Sequence, residues 1–287
     1  MAAGYDTITF FSDYGRTDEF VGVVHSVIAS IAPDVRIVDL SHDIAPHDVR
    51  AGGLLLARSA QYLLPGVVLG VVDPGVGSTR RGVAIEVGGG QSVLVGPDNG
   101  LFAAAVAMVG GATRAVELTS DEHRLAAPGA TFDGRDVFGP AAAHLCAGVD
   151  LAELGPEVDG DTLVPGVLPV LREDDGVMTA EVLWVDRFGN AQLNLDPEDL
   201  VVHGEWFRMR IGEDSRRVRV VSSYSELDLG EIGLVIDSYG LLALSVAQSS
   251  AAFELGIDTA AEVSLEPAEA PRGQPSPVEL RPRTEMP

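Results

Sequence analysis

Three short apolar segments that alternate with helical patterns constrain the fold of this chain more than any other feature. The segments 7–11, 35–40 and 67–72 are rich in β-branched and aromatic residues, which is typical of buried strands. Stretches with a helical repeat of apolar residues separate each segment from the next. Successive buried strands joined through helices predict a mostly parallel sheet with right-handed crossovers. We therefore expect an α/β N-terminal domain.

Each of these predicted strands leads into an aspartate: Asp13, Asp43 or Asp73. In open α/β sheets, ligands bind beyond the carboxyl ends of the strands, so this edge of the sheet is the expected binding edge. Asp73 is followed by a Pro-Gly turn and then by Arg80 on the same loop. A carboxylate and a guanidinium placed in this way fit either a functional site or a structural salt bridge.

The second half of the chain has a different pattern, in which short predicted strands are separated by turns. These strands are expected at 177–185, 206–211, 217–221, 233–236 and 241–246. They predict a smaller all-β, barrel-like C-terminal domain. We expect the α/β domain at 1–160, a linker at 161–172, the β-barrel domain at 173–265 and a flexible, proline-rich tail at 266–287.

Composition excludes several classes of function. The net charge of −24 argues against binding to a nucleic-acid backbone. The chain contains no lysine, which excludes Schiff-base and P-loop lysine mechanisms. The single cysteine, Cys146, cannot form an intramolecular disulfide. The N-terminus lacks the basic region of a signal peptide, and no apolar run is long enough for a membrane span, so we expect a cytoplasmic protein.

Two glycine-rich stretches are poor candidates for nucleotide sites. The stretch 75–80 has Arg80 where the dinucleotide fingerprint requires its third glycine. The stretch 88–90 lies between two segments that predict a β-hairpin, where glycines serve the turn.

The segment 41–48 contains the residue types of a metal site, including two histidines. Its simplest interpretation is a loop in which Asp48 caps the helix that follows. If a metal were bound, Asp13, His42 and Asp73 would be its natural ligands. The chain would then be a metal-dependent phosphohydrolase, which is an alternative function.

Six motifs occur in a fixed order along the chain, at 11–15, 73–77, 97–100, 131–136, 186–190 and 238–240. Together they resemble the adenosine-forming S-adenosyl-L-methionine hydrolases, also called S-adenosyl-L-methionine hydroxide adenosyltransferases, which are related to 5′-fluorinating and 5′-chlorinating enzymes. The resemblance covers roughly residues 7–262. It implies an α/β domain, a β-barrel domain and a homotrimer whose sites lie between neighbouring subunits. It also implies a small-molecule substrate, no cofactor and no metal.

The resemblance assigns binding roles to two groups of residues. For the ribose and the methionine part, Asp13 matches the acid that holds both ribose hydroxyls, and the positions that hold methionine are matched by Asp18, Asp186 and Ser238. Asn190 matches the residue that reads adenine, and the stretch near Gln248 matches a backbone contact to the same ring. Phe132 and Phe188 are further expected binding residues. An asparagine amide can read a purine edge, and a phenyl ring can stack on it.

The resemblance also implies a water-activating set. Asp73 and Arg80 match two members of the Asp-Arg-His set of the hydrolases, but Asp133 stands where those enzymes usually carry histidine. The halogenating relatives lack the acid and the arginine as well. We therefore expect Asp73, Arg80 and Asp133 to be catalytic in hydrolysis of S-adenosyl-L-methionine to adenosine and methionine. The alternatives are 5′-halogenation and a non-catalytic protein that binds adenosyl ligands.

Overall fold

A computed structural model describes residues 4–270 and divides the chain into two compact units, the first ending at Leu168 and the second beginning at Pro169. Most of the expected tail, residues 271–287, lies outside the described residues. Within the described range, no helix is long and apolar enough to cross a membrane.

The first unit is built on a mixed, mostly parallel sheet. Its strands are β1 (Thr7–Ser12), β2 (Arg36–Ser41), β3 (Gly66–Val71), β4 (Gly82–Val87), β5 (Ser92–Pro97) and β6 (Ala112–Glu117). Their order is β2-β1-β3-β5-β4-β6, and β4 runs antiparallel to both of its neighbours. The parallel pairs β1–β2, β1–β3 and β3–β5 confirm the predicted α/β class, and the β4–β5 hairpin is also confirmed. The sequence pattern did not predict β6.

Two helix boundaries of this unit coincide with recognisable sequence signals. The helices are α1 (Phe20–Ile31), α2 (Val49–Ser59), α3 (Ala103–Met108) and α4 (Gly139–Cys146), with a π-helical turn at Gly134–Phe138 and 3₁₀ turns at Ala60–Tyr62, Gly88–Gly90, Asp121–His123, Leu151–Glu153 and Gly160–Thr162. α1 ends just before Pro33, which cannot continue a helix. Asp48 accepts a hydrogen bond from the amide of Ala51 at 2.8 Å, which confirms that it caps α2.

Alternating residues of the sheet enter two separate cores. Phe10 and Leu69 pack on one face, in a cluster that includes Val24 and Ile28 of α1. On the other face, Phe11 belongs to the core that also contains Leu56 of α2 and Ala105 of α3. Because the sheet is covered on both faces, the ends of its strands are the places where polar side chains reach solvent.

The second unit is a closed β-barrel, as predicted. Its strands are β7 (Arg172–Asp174), β8 (Val177–Val185), β9 (Ala191–Leu193), β10 (Trp206–Ile211), β11 (Asp214–Val221), β12 (Ile232–Ile236), β13 (Leu242–Val246) and β14 (Glu262–Pro267). The ring runs β14-β10-β11-β12-β13-β9-β8 and closes through the β14–β8 pairing, with β7 added beside β8. The unit also contains α5 (Pro197–Leu200), α6 (Ala251–Leu255) and a 3₁₀ turn at Tyr224–Glu226.

The fully buried side chain of Leu69 in β3 is expected to contribute strongly to the stability of the first unit. Leu69→Ala should lower the free energy of unfolding by about 2–5 kcal/mol, because it removes apolar contacts and leaves a cavity. Leu64→Ala is the matched control, since Leu64 is 49% exposed and should cost much less. Urea unfolding of both variants measures the difference, and equal losses would contradict this assignment of the core.

Candidate active site

The loop between β3 and β4 places Asp73 beside Arg80. The hydroxyl of Ser78 donates to the carbonyl oxygen of Gly75 at 2.7 Å and accepts from the amide of Arg80 at 3.2 Å, which closes the turn. Gly77 has a φ of 76°, and a Cβ there would lie 2.8 Å from the carbonyl oxygen of Ala130. Glycine is therefore required where this loop meets the segment that carries Asp133.

The guanidinium of Arg80 bridges two carboxylates. Its Nε donates to Oδ1 and Oδ2 of Asp73 at 2.9 and 3.0 Å, and its Nη2 donates to Oδ2 of Asp73 and to Oδ2 of Asp133. The exposed fraction of the side chain is 15% for Arg80, 6% for Asp73 and 17% for Asp133. Burial opposes the positive charge, but the hydrogen bonds and charges of the two acids outweigh it and raise the pKa of Arg80. The guanidinium is therefore a fixed cation.

A cavity of about 240 Å³ opens at this edge of the sheet. Asp13, Asp73 and Asp133 all line it, together with His47. The amide of His47 donates to Oδ2 of Asp13 at 2.8 Å and so orients that carboxylate. The binding edge expected from the strand ends therefore exists for Asp13 and Asp73.

The expectation was wrong for Asp43, the third acid of the strand ends. Its carboxylate is 73% exposed and lies 3.9 Å from Nε of Arg16, and it is not among the residues that line the cavity. Asp43 follows β2, which is the edge strand of the sheet, and the cavity is lined further along the same loop by Pro46 and His47.

Tyr14 lines the same cavity and was missed by the sequence reasoning. Burial, followed by the negative charges of Asp13, Asp73 and Asp133, raises the pKa of Tyr14, so its phenol stays a protonated donor. A Cβ at position 134 would overlap the phenol oxygen, so Gly134 makes room for it. The signal was available, since Tyr14 directly follows Asp13 in the 11–15 motif.

Two other predicted binding residues of the first unit, Phe132 and Asp18, do not line the cavity. Phe132 packs edge-on against Tyr14 and Phe20, with ring centroids 5.6 and 5.0 Å apart. Phe132 thus supports the wall of the cavity, whereas Asp18 is exposed and is not a lining residue. In the same 131–136 motif, Arg135 forms a local ion pair with Asp136 at 2.6 Å.

The metal-ligand set Asp13, His42 and Asp73 does not form. The imidazole of His42 points into the interior, where its ring packs edge-on against Phe10 with centroids 4.6 Å apart. Asp73 is held by Arg80 instead. Within the described range, the three side chains do not come within the common reach of one ion.

The barrel carries a separate cleft of about 1160 Å³. It gathers five of the predicted binding residues: Asp186, Phe188, Asn190, Ser238 and Gln248. Phe188 is 79% exposed, so its ring is available to a ligand or a neighbouring surface.

Two loops of the same design form part of this cleft. Oδ1 of Asp186 accepts from the amides of Phe188 and Asn190, both at 2.8 Å. Oδ1 of Asp237 accepts in the same way from the amides of Tyr239 and Leu241, at 2.8 and 3.1 Å. Each loop then turns at a glycine with a φ of 84°.

The observed contacts of Asp186 lie within its own loop. Its Oδ2 accepts a hydrogen bond from the side-chain amide of Asn190 at 2.8 Å. This contact fixes the orientation of the Asn190 amide, so Asp186 positions the side chain of Asn190 in the cleft. A direct contact of Asp186 with methionine stays a prediction.

Two family models match this chain. Residues 8–155 match the family model described as the SAM hydroxide adenosyltransferase N-terminal domain, and residues 180–264 match that of the C-terminal domain. The chain belongs to the SAM hydroxide adenosyltransferase family. The cavity of the first unit lies in the segment that the first model covers, and the cleft of the barrel lies in the segment that the second covers.

Three proteins illustrate how similar this chain is to known sequences and structures. A protein from Salinispora tropica named (R)-S-adenosyl-L-methionine hydrolase is 43% identical, over 87% of this chain and 94% of its own length. A fluorinase from an Actinoplanes species is 28% identical, over 85% of this chain and 92% of its own. The crystal structure of an uncharacterized conserved protein from Thermotoga maritima aligns with a TM-score of 0.81 and 30% identity, covering 90% of this chain and 99% of that one.

Removing the bridging guanidinium should destabilise the first unit. Arg80→Met leaves Asp73 and Asp133 facing each other without a counter-charge, so we expect a loss of about 3 kcal/mol or more in unfolding free energy. Arg16→Met is the control, because Arg16 forms an exposed pair and should change stability by about 1 kcal/mol or less. Denaturant unfolding at neutral pH measures both, and an unchanged Arg80→Met protein would contradict the bridge.

Proposed function

We propose that this protein hydrolyses S-adenosyl-L-methionine to adenosine and L-methionine. The observation that carries the proposal is the Asp73–Arg80–Asp133 bridge at a cavity beside the carboxyl ends of β1 and β3. An acid and a fixed cation that share one small cavity can hold a water molecule and stabilise the hydroxide character it develops.

The proposed reaction is direct displacement at C5′ of the ribose. The oxygen of water bonds to C5′ while the C5′–S bond breaks, and the electron pair of that bond leaves with sulfur. The sulfonium becomes the neutral thioether of methionine, so the leaving group needs no proton. The difficulty lies in the nucleophile, since bulk water has a pKa of about 15.7.

The residues of the cavity divide this work. Asp73 orients the water and receives its proton, and Arg80 stabilises the developing negative charge. Asp133 holds Arg80 from the opposite side through Nη2. Tyr14, a neutral phenol in the same cavity, can donate a hydrogen bond to the bound water. Alignment of the water behind C5′ supplies a further part of the rate through proximity.

Halide transfer is disfavoured on electrostatic grounds. A halide would have to lose its hydration shell in a cavity that three carboxylates line, and like charges repel. The lower identity to a fluorinase than to a protein named as a hydrolase supports the same choice. A protein that only binds the adenosyl group would need Asp13 and Asn190, but not the bridge of Asp73 and Arg80.

The proposed contacts with the substrate come from two groups of residues, one in the first unit and one in the barrel. We propose that Asp13 holds the ribose hydroxyls and Asn190 reads adenine. In the remaining proposed contacts, Phe188 and Gln248 border the ring, Phe132 supports the wall, and methionine is held by Asp18, Asp186 and Ser238. The family resemblance supports a homotrimer in which one subunit supplies the first group and a neighbouring subunit supplies the second.

Three further features of the proposal concern the configuration of the substrate, the need for a cofactor or metal, and the location of the protein. The names of the hydrolase relatives support the (R) configuration at the sulfonium. We propose that the reaction uses no cofactor and no metal, because water, Asp73 and Arg80 account for each step. The single cysteine, which leaves no pair for an intramolecular disulfide, supports a cytoplasmic location.

Identification of the nucleoside product tests the function. The protein is incubated with each sulfonium epimer of S-adenosyl-L-methionine, with and without chloride, fluoride and a chelator. We expect adenosine and methionine in every case, formed faster from the (R) epimer. A 5′-halogenated nucleoside would establish halogenation. Loss of activity with chelator at a temperature where the protein stays folded would establish a metal enzyme, and ligand binding without turnover would establish a binding protein.

Replacement of the proposed water-orienting acid should affect turnover more than binding. For Asp73→Asn we expect kcat to fall by about 100-fold or more with little change in KM, because the proton acceptor is lost while the substrate contacts remain. Asp43→Asn is the matched control, since Asp43 follows a neighbouring strand but lies outside the cavity. Wild-type turnover in Asp73→Asn would rule out this mechanism.

The acid at the histidine position of the family motif can be tested with two substitutions. Asp133→Ala should lower kcat by about 10-fold to 100-fold, because Arg80 loses one of its two anchors and shifts from the water. Asp133→His should retain most of the turnover, since an imidazole can occupy the same position beside Arg80. If adenosine formation is unchanged in both variants, Asp133 is not part of the site.

A further inference from the structure

A second cluster of polar side chains lies in the first unit, apart from the cavity lining. It brings together His25 of α1, Asp39 of β2 and His42, which follows β2. Nε2 of His25 lies 2.9 Å from Oδ1 of Asp39, and Nε2 of His42 lies 3.1 Å from the same oxygen. All three ligand atoms are within 4.8 Å of one another.

The buried member of the cluster is His42. Its side chain is 1% exposed, and its Nε2 faces Oδ1 of Asp39 at 3.1 Å. Its other nitrogen, Nδ1, lies 2.8 Å from the hydroxyl of Ser12. When Nδ1–H donates to that hydroxyl, the lone pair of Nε2 is directed at the cluster. This is the arrangement of a metal-binding histidine whose tautomer is fixed by a second group.

We propose that His25, Asp39 and His42 form a binding site for one divalent transition-metal ion such as Zn²⁺. Two imidazoles and a carboxylate are donors that such ions prefer, with metal–ligand distances of about 2.0–2.2 Å. Ligand atoms around a tetrahedral ion at that distance lie about 3.3 Å apart, so the observed spacings require only small side-chain adjustments. The net charge of −24 favours uptake of a cation.

The site has one closed side and one open side. His42 is enclosed, whereas the side chains of His25 and Asp39 are 33% and 30% exposed, so an ion can enter from solvent and keep a water ligand. A bound ion would tie α1 to the edge strand β2 and to the start of the 42–47 loop. None of the three ligands lines the proposed reaction cavity, so the site would stabilise the fold and take no part in hydrolysis.

Direct titration with metal separates coordination from a metal-free hydrogen-bond network. Untagged full-length protein is stripped with a chelator and titrated with Zn²⁺ by calorimetry, and with Co²⁺ by absorption. We expect one ion per chain, a rise in Tm on Zn²⁺ addition, and Co²⁺ d–d bands without a thiolate charge-transfer band. Absence of stoichiometric binding of either ion to the wild-type protein would overturn the proposal.

Variants assign the site to these residues. His25→Ala and Asp39→Asn, both at partly exposed positions, should weaken Zn²⁺ binding by at least about 10-fold and abolish the rise in Tm. Ser12→Ala should weaken binding in the same direction by releasing the His42 ring. His123→Ala is the control, because it removes a histidine that contacts His144 and is not part of the cluster, so this variant should bind as wild type does.

The outcomes are independent of the proposed hydrolysis, since metal binding is read without substrate. Unchanged Zn²⁺ affinity in both His25→Ala and Asp39→Asn would overturn the site even if adenosine formation were established. Conversely, stoichiometric binding that these two variants lose would establish the site even if no adenosine were formed.

Discussion

The bridge made by Arg80 is the interaction on which the proposed chemistry depends. One guanidinium joins Asp73, on the β3–β4 loop, to Asp133, on the segment that leads into α4. Without it, two nearly buried carboxylates would face each other across a small cavity, which is electrostatically unfavourable. The same contact that holds these segments together thus also places a fixed cation beside the acid proposed to orient water.

The surrounding fold supplies what this bridge needs. The parallel strands β1 and β3 end side by side, which brings Asp13 and Asp73 to one edge. Glycines at 77 and 134 permit close approaches that any side chain would block, to a carbonyl oxygen and to the phenol of Tyr14. In the barrel, which is a separate unit, two aspartate-capped loops form part of the cleft, and their carboxylates accept hydrogen bonds from their own backbone. Some aspartates in this protein therefore stabilise loops, as Asp186 and Asp237 do, whereas Asp13 and Asp73 line the cavity.

Several errors of the sequence reasoning share one physical cause. The residue types of the 41–48 segment allowed His42 as a metal ligand with Asp13 and Asp73, but its ring packs edge-on against Phe10. Asp43 follows a strand as Asp13 and Asp73 do, yet it is exposed because β2 lies at the edge of the sheet. Strand β6 was not predicted, since half of its residues face solvent. Sequence position specifies the end of a strand, whereas side-chain direction depends on neighbours that are distant in the chain.

The sequence by itself determined the two fold classes, the family and the identity of the acids and arginine in the site, because hydrophobic periodicity and ordered motifs are local properties. Only the tertiary structure decided the contacts that the side chains make. It joined Asp73 and Asp133, which were already expected in one set, through Arg80, and it added Tyr14 to the cavity. It also gathered His25, Asp39 and His42. These juxtapositions follow from strand order and helix packing, which are set by burial of apolar surface across the whole unit.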